Sequence, residues 1–317
     1  MESFEGRLAV VTGGGTGMGR ELVIQLATEG CSVATCDLTA DALADTALRA
    51  ETVAPAGTRI TTHACDVADE AQVSRFRDEV VAQHETDHVN LVFNNAGIGG
   101  GGSFIAGKRE EWDQTFSVCW GGVYNCSRAF VPLLVASDDG YLVNTSSVNG
   151  FWASLGPGIP HTAYSAAKFA VKGFSEALLE DFRVNAPHVK VAVVMPGHIG
   201  TDIVINSRRI LGAPEPEDLS SRELDEFRAG LALRGLPADG VADDDLRKMV
   251  GMMGEMFRDS APLSAAGAAT IILAGVRKGA WRILVGDDAE ALDVAVRANP
   301  EGAYGPDGLV LGSLFNP

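Results

Sequence analysis

The chain has 317 residues, 46% of them hydrophobic, and a formal net charge of −17 at neutral pH. This length fits either two average domains or one large α/β domain, and the composition supplies ample apolar material for a core. A chain this acidic can scarcely assemble the basic face that phosphate contacts require, so we expect no nucleic-acid partner.

The N-terminus and the cysteines bear on the cellular compartment. The first residues, MESFEGRLAVVTGG, are acidic where a signal peptide needs basic residues, and no apolar run approaches the ~18 residues of a membrane span. Five cysteines are scattered without a CxxC pair, which predicts neither a disulfide framework nor a zinc site. We therefore expect a cytoplasmic protein that binds no metal and no membrane.

Short apolar runs alternate with helix-like segments along most of the chain. In order, the strand-like runs are RLAVVTG, CSVATCDL, RITTHACDV, NLVFNNAG, GYLVNTSS, VKVAVVMPG and WRILVG. Runs that are apolar on both faces and separated by helices predict a parallel sheet with helices on both sides. We therefore predict an α/β fold, a doubly wound parallel sheet, in one domain over residues 1–317.

This alternation is interrupted twice in the C-terminal third. Residues 203–260 form a polar insertion, punctuated by Pro and Gly, with one methionine-rich helix, DDDLRKMVGMMGEMF. Residues 299–317 are irregular but apolar, so we expect this tail to pack on the body or on a neighbouring subunit.

A glycine-rich turn, TGGGTGMGR at 12–20, follows the first strand-like run and opens a helix. Gly13 permits a tight turn, Gly17 lets the backbone approach a pyrophosphate, and Gly19 allows close helix packing. The helix N-terminus then offers free N–H groups to the phosphates. Such a turn is a weak signal alone, but the second strand ends in Asp37, where a carboxylate can accept hydrogen bonds from ribose hydroxyls.

Asp37 also favours one dinucleotide over the other. Its charge would repel the 2′-phosphate of NADP unless a base stood near, and Thr16 and Leu38, the obvious places for one, are neutral. We therefore predict NAD as the cofactor. Asp37 can also cap the helix that starts at Thr39, and the two roles are compatible.

Tyr164 and Lys168, in AYSAAKFAV, are four residues apart and so share one helix face. A phenol has a pKa near ~10. An ammonium beside it favours the phenolate, which makes proton exchange with an alcohol practicable. Taken alone, the pair would be an ordinary surface feature.

Together these motifs resemble the short-chain dehydrogenase/reductase family. The resemblance covers about 190 residues and rests on TGGGTGMG at 12–19, Asp37, Asp66-Val67, NNAG at 94–97, Ser147, YSAAK at 164–168 and PGHIGT at 196–201. It implies a Rossmann fold, and it implies that Ser147 binds the substrate oxygen while Tyr164 exchanges the proton. Ser147 is preferred to Ser146 because it directly precedes the short turn VNG.

The resemblance also implies a set of cofactor contacts. Asp66 and Val67 would touch the adenine, Asn95 its ribose and Lys168 the nicotinamide ribose. The implied cofactor-binding residues are Gly13, Thr16, Gly17, Met18, Gly19, Asp37, Leu38, Asp66, Val67, Asn95, Ala96, Gly97, Tyr164, Lys168, Pro196, Gly197, Ile199 and Thr201.

The chain departs from the family in the interval between Ser147 and Tyr164, which is longer than usual by about four residues. The extra residues fall in FWASLGPGIPHTA, which borders the substrate in such enzymes. The insertion at 203–260 lies where the family has its substrate lid, and its methionines fit either a core or a ligand surface. Our candidate substrate contacts are Trp152, His161, His198, Met252 and Met256, with Trp152 equally suited to the core.

A second departure is Cys119, which stands where the family commonly has a catalytic asparagine. That asparagine is thought to bend its helix and help hold a proton-relay water. Gly121 and Gly122 could let the helix bend without the amide. We include Cys119 among the catalytic candidates, with an effect on rate rather than on reaction type; as a plain core thiol it would also be ordinary.

These features predict an NAD-dependent alcohol dehydrogenase acting on a small hydrophobic secondary alcohol or the matching ketone. Two alternatives stay open: a 3-oxoacyl or other ketone reductase, and a non-catalytic NAD-binding sensor or scaffold. The resemblance further implies a homodimer or homotetramer, paired through the helices at about 110–135 and 164–185.

Overall fold

All seven of the predicted apolar runs form strands of one parallel sheet. The computed structural model describes residues 1–156, 159–233, 236, 238–305 and 308–309. Their strands are β1 (Leu8–Thr12), β2 (Ser32–Asp37), β3 (Ile60–Ala64), β4 (Leu91–Asn94), β5 (Gly140–Thr145), β6 (Val189–Pro196), β7 (Ile199–Gly200), β8 (Leu263–Ser264) and β9 (Arg282–Val285). The main sheet has the order β3-β2-β1-β4-β5-β6-β9, and β7 pairs with β8 in a small second sheet.

Helices cover both faces of this sheet. Their bounds are α1 (Gly17–Thr28), α2 (Ala40–Val53), α3 (Glu70–His84), α4 (Arg109–Phe116), α5 (Gly122–Val135), α6 (Thr162–Asn185), α7 (Ile203–Ile210), α8 (Ser221–Leu233), α9 (Asp243–Asp259), α10 (Ala265–Arg277) and α11 (Asp287–Ala298). One apolar core joins α1, α2 and α10 to the sheet, and a second joins α3, α5 and α6 to the opposite face. The predicted doubly wound fold in a single domain is confirmed.

The strand order places the site. The sheet grows in one direction from β1 to β2 and β3, and in the other from β4 to β5 and β6. In such sheets, ligands bind at the carboxyl ends of the two strands where the order reverses. Here these are β1 and β4, which pair in parallel.

The insertion at 203–260 contains more structure than its sequence indicates. Besides the predicted methionine-rich helix α9, it forms α7 and α8. Leu224 and Leu231 of α8 are buried against Leu246 and Val250 of α9, so the insertion has a small apolar core of its own. The sequence does not predict α8 because only a few of its side chains are apolar and face this core.

The described part of the C-terminal tail packs on the body of the protein. This is one of the two arrangements that the sequence predicts for it. A short turn at Gly302–Tyr304 places Ala303 in an apolar cluster with Trp152 and α11, and Leu309 packs against that cluster. Residues 306–307 and 310–317 lie outside the described residues. Across the described ranges, no helix is both long and apolar enough to cross a membrane.

Candidate active site

The glycine-rich turn has the backbone geometry of a phosphate cradle. Gly13 and Gly17 have φ of +68° and +55°, in the left-handed region that favours glycine. A Cβ at Gly19 would lie 2.0 Å from the Gly13 carbonyl oxygen, so only glycine lets α1 pack this closely. Within the described residues the Thr16 side chain does not cap α1, which leaves first-turn N–H groups available to an anion.

Asp37 lies against this turn at the end of β2. Its carboxylate accepts hydrogen bonds from the backbone N–H of Gly15 at 3.0 Å and of Thr39 at 3.3 Å. These bonds hold the carboxylate beside the cradle. Thr39 is the N-cap residue of α2, and Asp37 bonds to its N–H without capping the first turn of the helix. Leu38, the next residue, is half exposed.

Arg20 is a charged neighbour of the cradle that the sequence analysis did not weigh. Its guanidinium donates to the Gly15 carbonyl oxygen and to the Thr46 hydroxyl, and it pairs with Asp45 at 3.1 Å. An arginine directly after the glycine motif was the signal that could have found it. Because its donors are engaged, its charge is partly neutralised within the protein.

The end of β4 contributes the next residues. Asn95 donates through Nδ2 to the Thr12 carbonyl oxygen at 3.1 Å, and its Oδ1 is buried without a partner among the described residues. The Thr12 hydroxyl accepts from the backbone N–H groups of Asn95 and Ala96. These bonds fix the β4 turn against the glycine turn. Thr12 belongs to the glycine motif, but its role in positioning the β4 turn is not evident from the sequence.

Asp66 and Val67 follow β3 and lie at the same edge of the sheet. The Asp66 carboxylate accepts from the Ala68 N–H at 2.9 Å, and Asn125 of α5 donates to the Val67 carbonyl oxygen at 3.0 Å. Val67 packs closely against Gly122, where a Cβ would lie 2.6 Å from its side chain.

The segment after β6 closes the other end of the cradle. Pro196 ends β6, Ile199 lies in β7, and the Thr201 side chain lies 3.2 Å from where a Cβ at Gly17 would stand. Gly197 donates to the Val285 carbonyl oxygen at 3.0 Å. The residues that the resemblance assigns to the two ends of a dinucleotide therefore meet along one edge of the sheet.

Asp288 of α11 supports this segment, and the sequence analysis did not identify it. Its Oδ2 accepts from the His198 backbone N–H at 2.5 Å, and its buried Oδ1 has no partner among the described residues. A Cβ at Gly197 would lie 2.1 Å from Oδ2, so glycine is required for this contact. An acidic residue in the first turn of a helix is too common for the sequence to single it out.

The insertion contacts the cradle through α7. Asn206 donates to the Thr16 hydroxyl at 3.3 Å, and the Ser207 hydroxyl accepts from the Gly99 N–H at 2.8 Å. The first helix of the insertion is thus attached to the loops that follow β1 and β4.

Ser147, Tyr164 and Lys168 come together beside the end of β5. The Ser147 side chain is close enough to the phenol to influence its pKa, and Lys168 Nζ lies 5.3 Å from the centre of the Tyr164 ring. Nζ also donates to the Thr145 carbonyl oxygen at 2.9 Å. The Ser147 hydroxyl accepts from the Asn149 N–H at 3.2 Å. Ser146, the rejected alternative, uses its hydroxyl to donate to the Lys168 carbonyl oxygen at 2.7 Å.

Burial dominates the acid–base properties of this group. It raises the pKa of Tyr164 above its ordinary value, a direction that Cys119 reinforces and the nearby Ser147 side chain opposes. Burial also lowers the pKa of the Lys168 ammonium. We expected the ammonium to lower the phenol pKa; in this structure burial sets the opposite direction, because desolvation disfavours both charged forms.

Cys119 lies in a widened helical turn. A π-helical segment, Ser117–Gly121, separates α4 from α5. The Cys119 thiol is fully buried and donates to the Ile98 carbonyl oxygen at 3.1 Å. A Cβ at Gly97 would lie 3.5 Å from Lys168 Nζ and 3.7 Å from Cys119 Sγ, which places the thiol near the ammonium. Such π turns are frequent at functional sites.

Of the candidate substrate contacts, His161 is the one that touches the catalytic candidates. Its imidazole stacks on the Tyr164 ring with centroids 4.7 Å apart. His198 instead donates from Nε2 to the Phe257 carbonyl oxygen of α9 at 2.6 Å. Met252 and Met256 are more than half exposed on α9, which excludes the core alternative for both.

Trp152 does not line the pocket, and that prediction is wrong. Its side chain is fully buried against α11, and its indole N–H donates to the Ala303 carbonyl oxygen at 3.2 Å. The tail supplies the hydrogen-bond acceptor for the buried indole N–H. Trp152 is therefore a core residue, which is the alternative that the sequence left open.

No metal site accompanies this arrangement in the described ranges. Among those residues, no group of three or more His, Cys, Asp or Glu side chains is placed to hold an ion.

Comparisons with known proteins agree with the geometry. A family model described as short chain dehydrogenase matches residues 7–210. SadH of Mycobacterium tuberculosis, which is named as an oxidoreductase, is 35% identical over 298 residues, covering 94% of this chain and 92% of SadH.

Solved structures show the same fold. A short chain dehydrogenase/reductase from Burkholderia phymatum in complex with NAD superposes with a TM-score of 0.76 at 26% identity, covering 98% of this chain and 99% of that one. A metagenomic short-chain oxidoreductase in complex with NADP has a TM-score of 0.54 at 24% identity, covering 82% and 96%. With the matched family model and the SadH similarity, these findings show that the chain belongs to the short-chain dehydrogenase family of oxidoreductases.

Proposed function

We propose that this protein transfers a hydride between NAD(H) and a small hydrophobic secondary alcohol or its ketone. One observation carries the proposal: Ser147, Tyr164 and Lys168 meet at the end of β5, with Ser147 near the phenol and the ammonium 5.3 Å from the centre of its ring. The adjoining glycine turn supports a dinucleotide site within reach of this group. A scaffold that only bound NAD would not need the three side chains to converge.

The roles of the side chains follow from their chemistry. Ser147 binds the substrate oxygen, and Tyr164 takes its proton from an alcohol or gives it to a ketone. The Lys168 ammonium favours the phenolate as that proton leaves, although burial opposes the charge. When bound, the nicotinamide accepts or supplies the hydride.

Ketone reduction, including that of a 3-oxoacyl substrate, is the second candidate. Burial raises the pKa of Tyr164, so at neutral pH the side chain is a phenol with a proton to give. This state suits the reductive direction, and the two directions share one site.

The cofactor contacts that we propose extend from the cradle to the segment after β6. The glycine turn and α1 would hold the pyrophosphate, Asp37 the adenosine ribose, and Ile199 and Thr201 the carboxamide. Preference for NAD is supported by the Asp37 carboxylate and by Arg20, whose charge is engaged by Asp45.

We also propose a homodimer or homotetramer in the cytoplasm. Large apolar side chains are exposed on α5 and α6, the helices that the resemblance assigns to subunit contacts; they are Tyr124, Val135, Phe169 and Val184. The scattered cysteines, all five unpaired and buried, are compatible with a reducing compartment.

Tyr164→Phe tests the chemistry directly. Removing the hydroxyl removes the proton exchange, so we expect kcat for a panel of secondary alcohols with NAD to fall by about 100-fold or more. NADH binding, measured by fluorescence titration, should change by less than about threefold. Tyr124→Phe, on the exposed face of α5, is the matched control and should keep full activity. Unchanged turnover in Tyr164→Phe would rule out the proposed mechanism.

A further inference from the structure

An imidazole lies flat on the ring of the proposed acid/base. The His161 and Tyr164 rings are 4.7 Å apart between centroids and only 7° from parallel. His161 immediately precedes α6, and Tyr164 lies in the first turn of that helix. The imidazole is therefore a direct neighbour of the phenol that we propose as the acid/base.

The backbone around His161 is fixed by the glycine loop that follows β4. The Thr162 and Ala163 N–H groups donate to the carbonyl oxygens of Gly102 and Gly101, both at 3.0 Å. The Thr162 hydroxyl donates to the Gly102 carbonyl oxygen at 2.9 Å. His161 is thus held by a built loop, which gives its ring a defined position in the site.

The imidazole has a polar atom that the protein does not satisfy. Nδ1 of His161 is buried and has no hydrogen-bond partner among the described residues. A buried polar atom without a partner costs about 1–3 kcal/mol, so such atoms in native proteins call for an explanation. Burial lowers the pKa of His161 to about 4, so the ring is neutral at neutral pH and Nδ1 can donate or accept according to tautomer.

We propose that Nδ1 of His161 binds a second oxygen of the substrate, on the carbon next to the reacting one. The substrate class is then a vicinal diol or the matching α-hydroxyketone, with an apolar remainder. This inference rests on the proposed function of Tyr164, because the stacked rings place the second oxygen only once the first is bound at the phenol.

The reaction balances with the groups already named. Oxidation moves a hydride from the reacting carbon to NAD⁺ and a proton from its hydroxyl to Tyr164, which leaves the α-hydroxyketone and NADH. The second hydroxyl keeps its proton and its bond to carbon throughout, so His161 binds the substrate without taking part in proton transfer.

Two compounds that differ by one hydroxyl provide the test. We would measure kcat/KM with NAD for 1-phenylethanol and 1-phenylethane-1,2-diol, using each enantiomer. A hydroxyl that satisfies a buried nitrogen should raise kcat/KM for the better diol enantiomer by about tenfold or more over the matching monoalcohol.

Two variants separate the nitrogen from the stacked ring. His161→Phe retains an aromatic ring on Tyr164 but no nitrogen, so we expect kcat/KM for the diol to fall by about tenfold more than kcat/KM for 1-phenylethanol, which removes the diol preference. His161→Asn places an amide near the Nδ1 position and should restore part of the preference. Thermal unfolding of both variants would show that each is folded.

Binding provides a readout that does not depend on turnover. Calorimetric titration of the NAD-loaded protein should show tighter binding of the diol than of 1-phenylethanol, and this difference should be absent in His161→Phe. Equal kcat/KM and equal affinity for the two compounds, or a diol preference that survives in His161→Phe, would overturn the subsite. Oxidation of neither compound, with no effect of Tyr164→Phe across the alcohol panel, would instead contradict the proposed function.

Discussion

At the residue scale, the two serines after β5 have separate tasks. Ser146 donates to the Lys168 carbonyl oxygen and so fastens α6 to the sheet, while Ser147 lies near the phenol and accepts from the Asn149 N–H. A Cβ at Gly150 would lie 2.2 Å from the Ser146 hydroxyl, so the following turn needs glycine. The glycine of the turn VNG, which served to choose Ser147 in the sequence, is thus required by the close packing of Ser146 against that turn.

Cys119→Asn tests whether the proton relay is impaired in this chain. The π turn already provides the helix distortion, and an asparagine amide could still donate to the Ile98 carbonyl oxygen as the thiol does. We therefore expect kcat to change by less than about threefold, which is below 1 kcal/mol in barrier height.

Steady-state kinetics at saturating NAD would measure this change. Cys126→Asn, at a buried cysteine of α5, controls for the general cost of placing an amide in this core. A gain of tenfold or more in Cys119→Asn alone would mean that the cysteine limits proton transfer.

Asp37→Ser tests the choice of dinucleotide. Serine can still accept from the Gly15 N–H, but it carries no charge to repel a 2′-phosphate. The ratio of NADP to NAD affinity should rise by about tenfold or more. Fluorescence titration with NADH and NADPH measures it, and Asp41→Ser, an exposed residue in the first turn of α2, is the control. An unchanged ratio would assign cofactor selection to another residue.

At the scale of elements, the regular parts of the chain could be predicted and the local irregularities could not. The strands were predictable because β1 and β5 are buried along their whole length, and burial on both faces requires continuous apolar runs. The π turn differs from an α-helix by one residue per turn, and tertiary contacts such as that of Cys119 with Ile98 decide it. α7 and α8 were missed because a polar sequence gives a helix on the surface little periodic signal.

The burial of Trp152, in a loop, is another local feature that the sequence pattern does not decide. From this burial we predict an effect on stability. Trp152→Ala removes a fully buried indole and its hydrogen bond to Ala303, so the free energy of unfolding should fall by about 3–5 kcal/mol. Urea denaturation followed by circular dichroism measures the loss.

Trp281 offers the matched control, since its side chain is 45% exposed. Trp281→Ala should cost less than about 1 kcal/mol. Similar losses in the two variants would mean that the packing of the tail around Trp152 contributes little to stability.

At the scale of the whole molecule, the apolar side chains on the outer faces of α5 and α6 predict self-association. Light scattering should give a particle of two or four chains. Phe169→Glu, which places a charge on the 40% exposed phenylalanine, should shift it toward the monomer. Val294→Glu, on the exposed face of α11, is the control. A monomer for the unmodified protein at micromolar concentration would contradict the proposed assembly.

The sequence predicts the motif residues of the site but not the contacts that support them. Short motifs predict the cofactor end, and the structure brings Gly13, Gly17 and Asp37 together as the sequence indicates. The supporting contacts come from distant segments, such as Asp288 behind His198 and Arg20 with Asp45. These pairings depend on the tertiary fold, which sequence patterns do not encode locally.

The attachment of α7 to the cradle has a consequence for how strongly the cofactor and the substrate influence each other's binding. Asn206 and Ser207 contact the same loops that would surround the dinucleotide, so the insertion and the cradle form one connected unit. Linkage is reciprocal: if cofactor binding favours a particular arrangement of the insertion, that arrangement strengthens cofactor binding by the same free energy. A substrate that stabilises the same arrangement of the insertion therefore also strengthens cofactor binding, and the cofactor strengthens substrate binding by the same free energy.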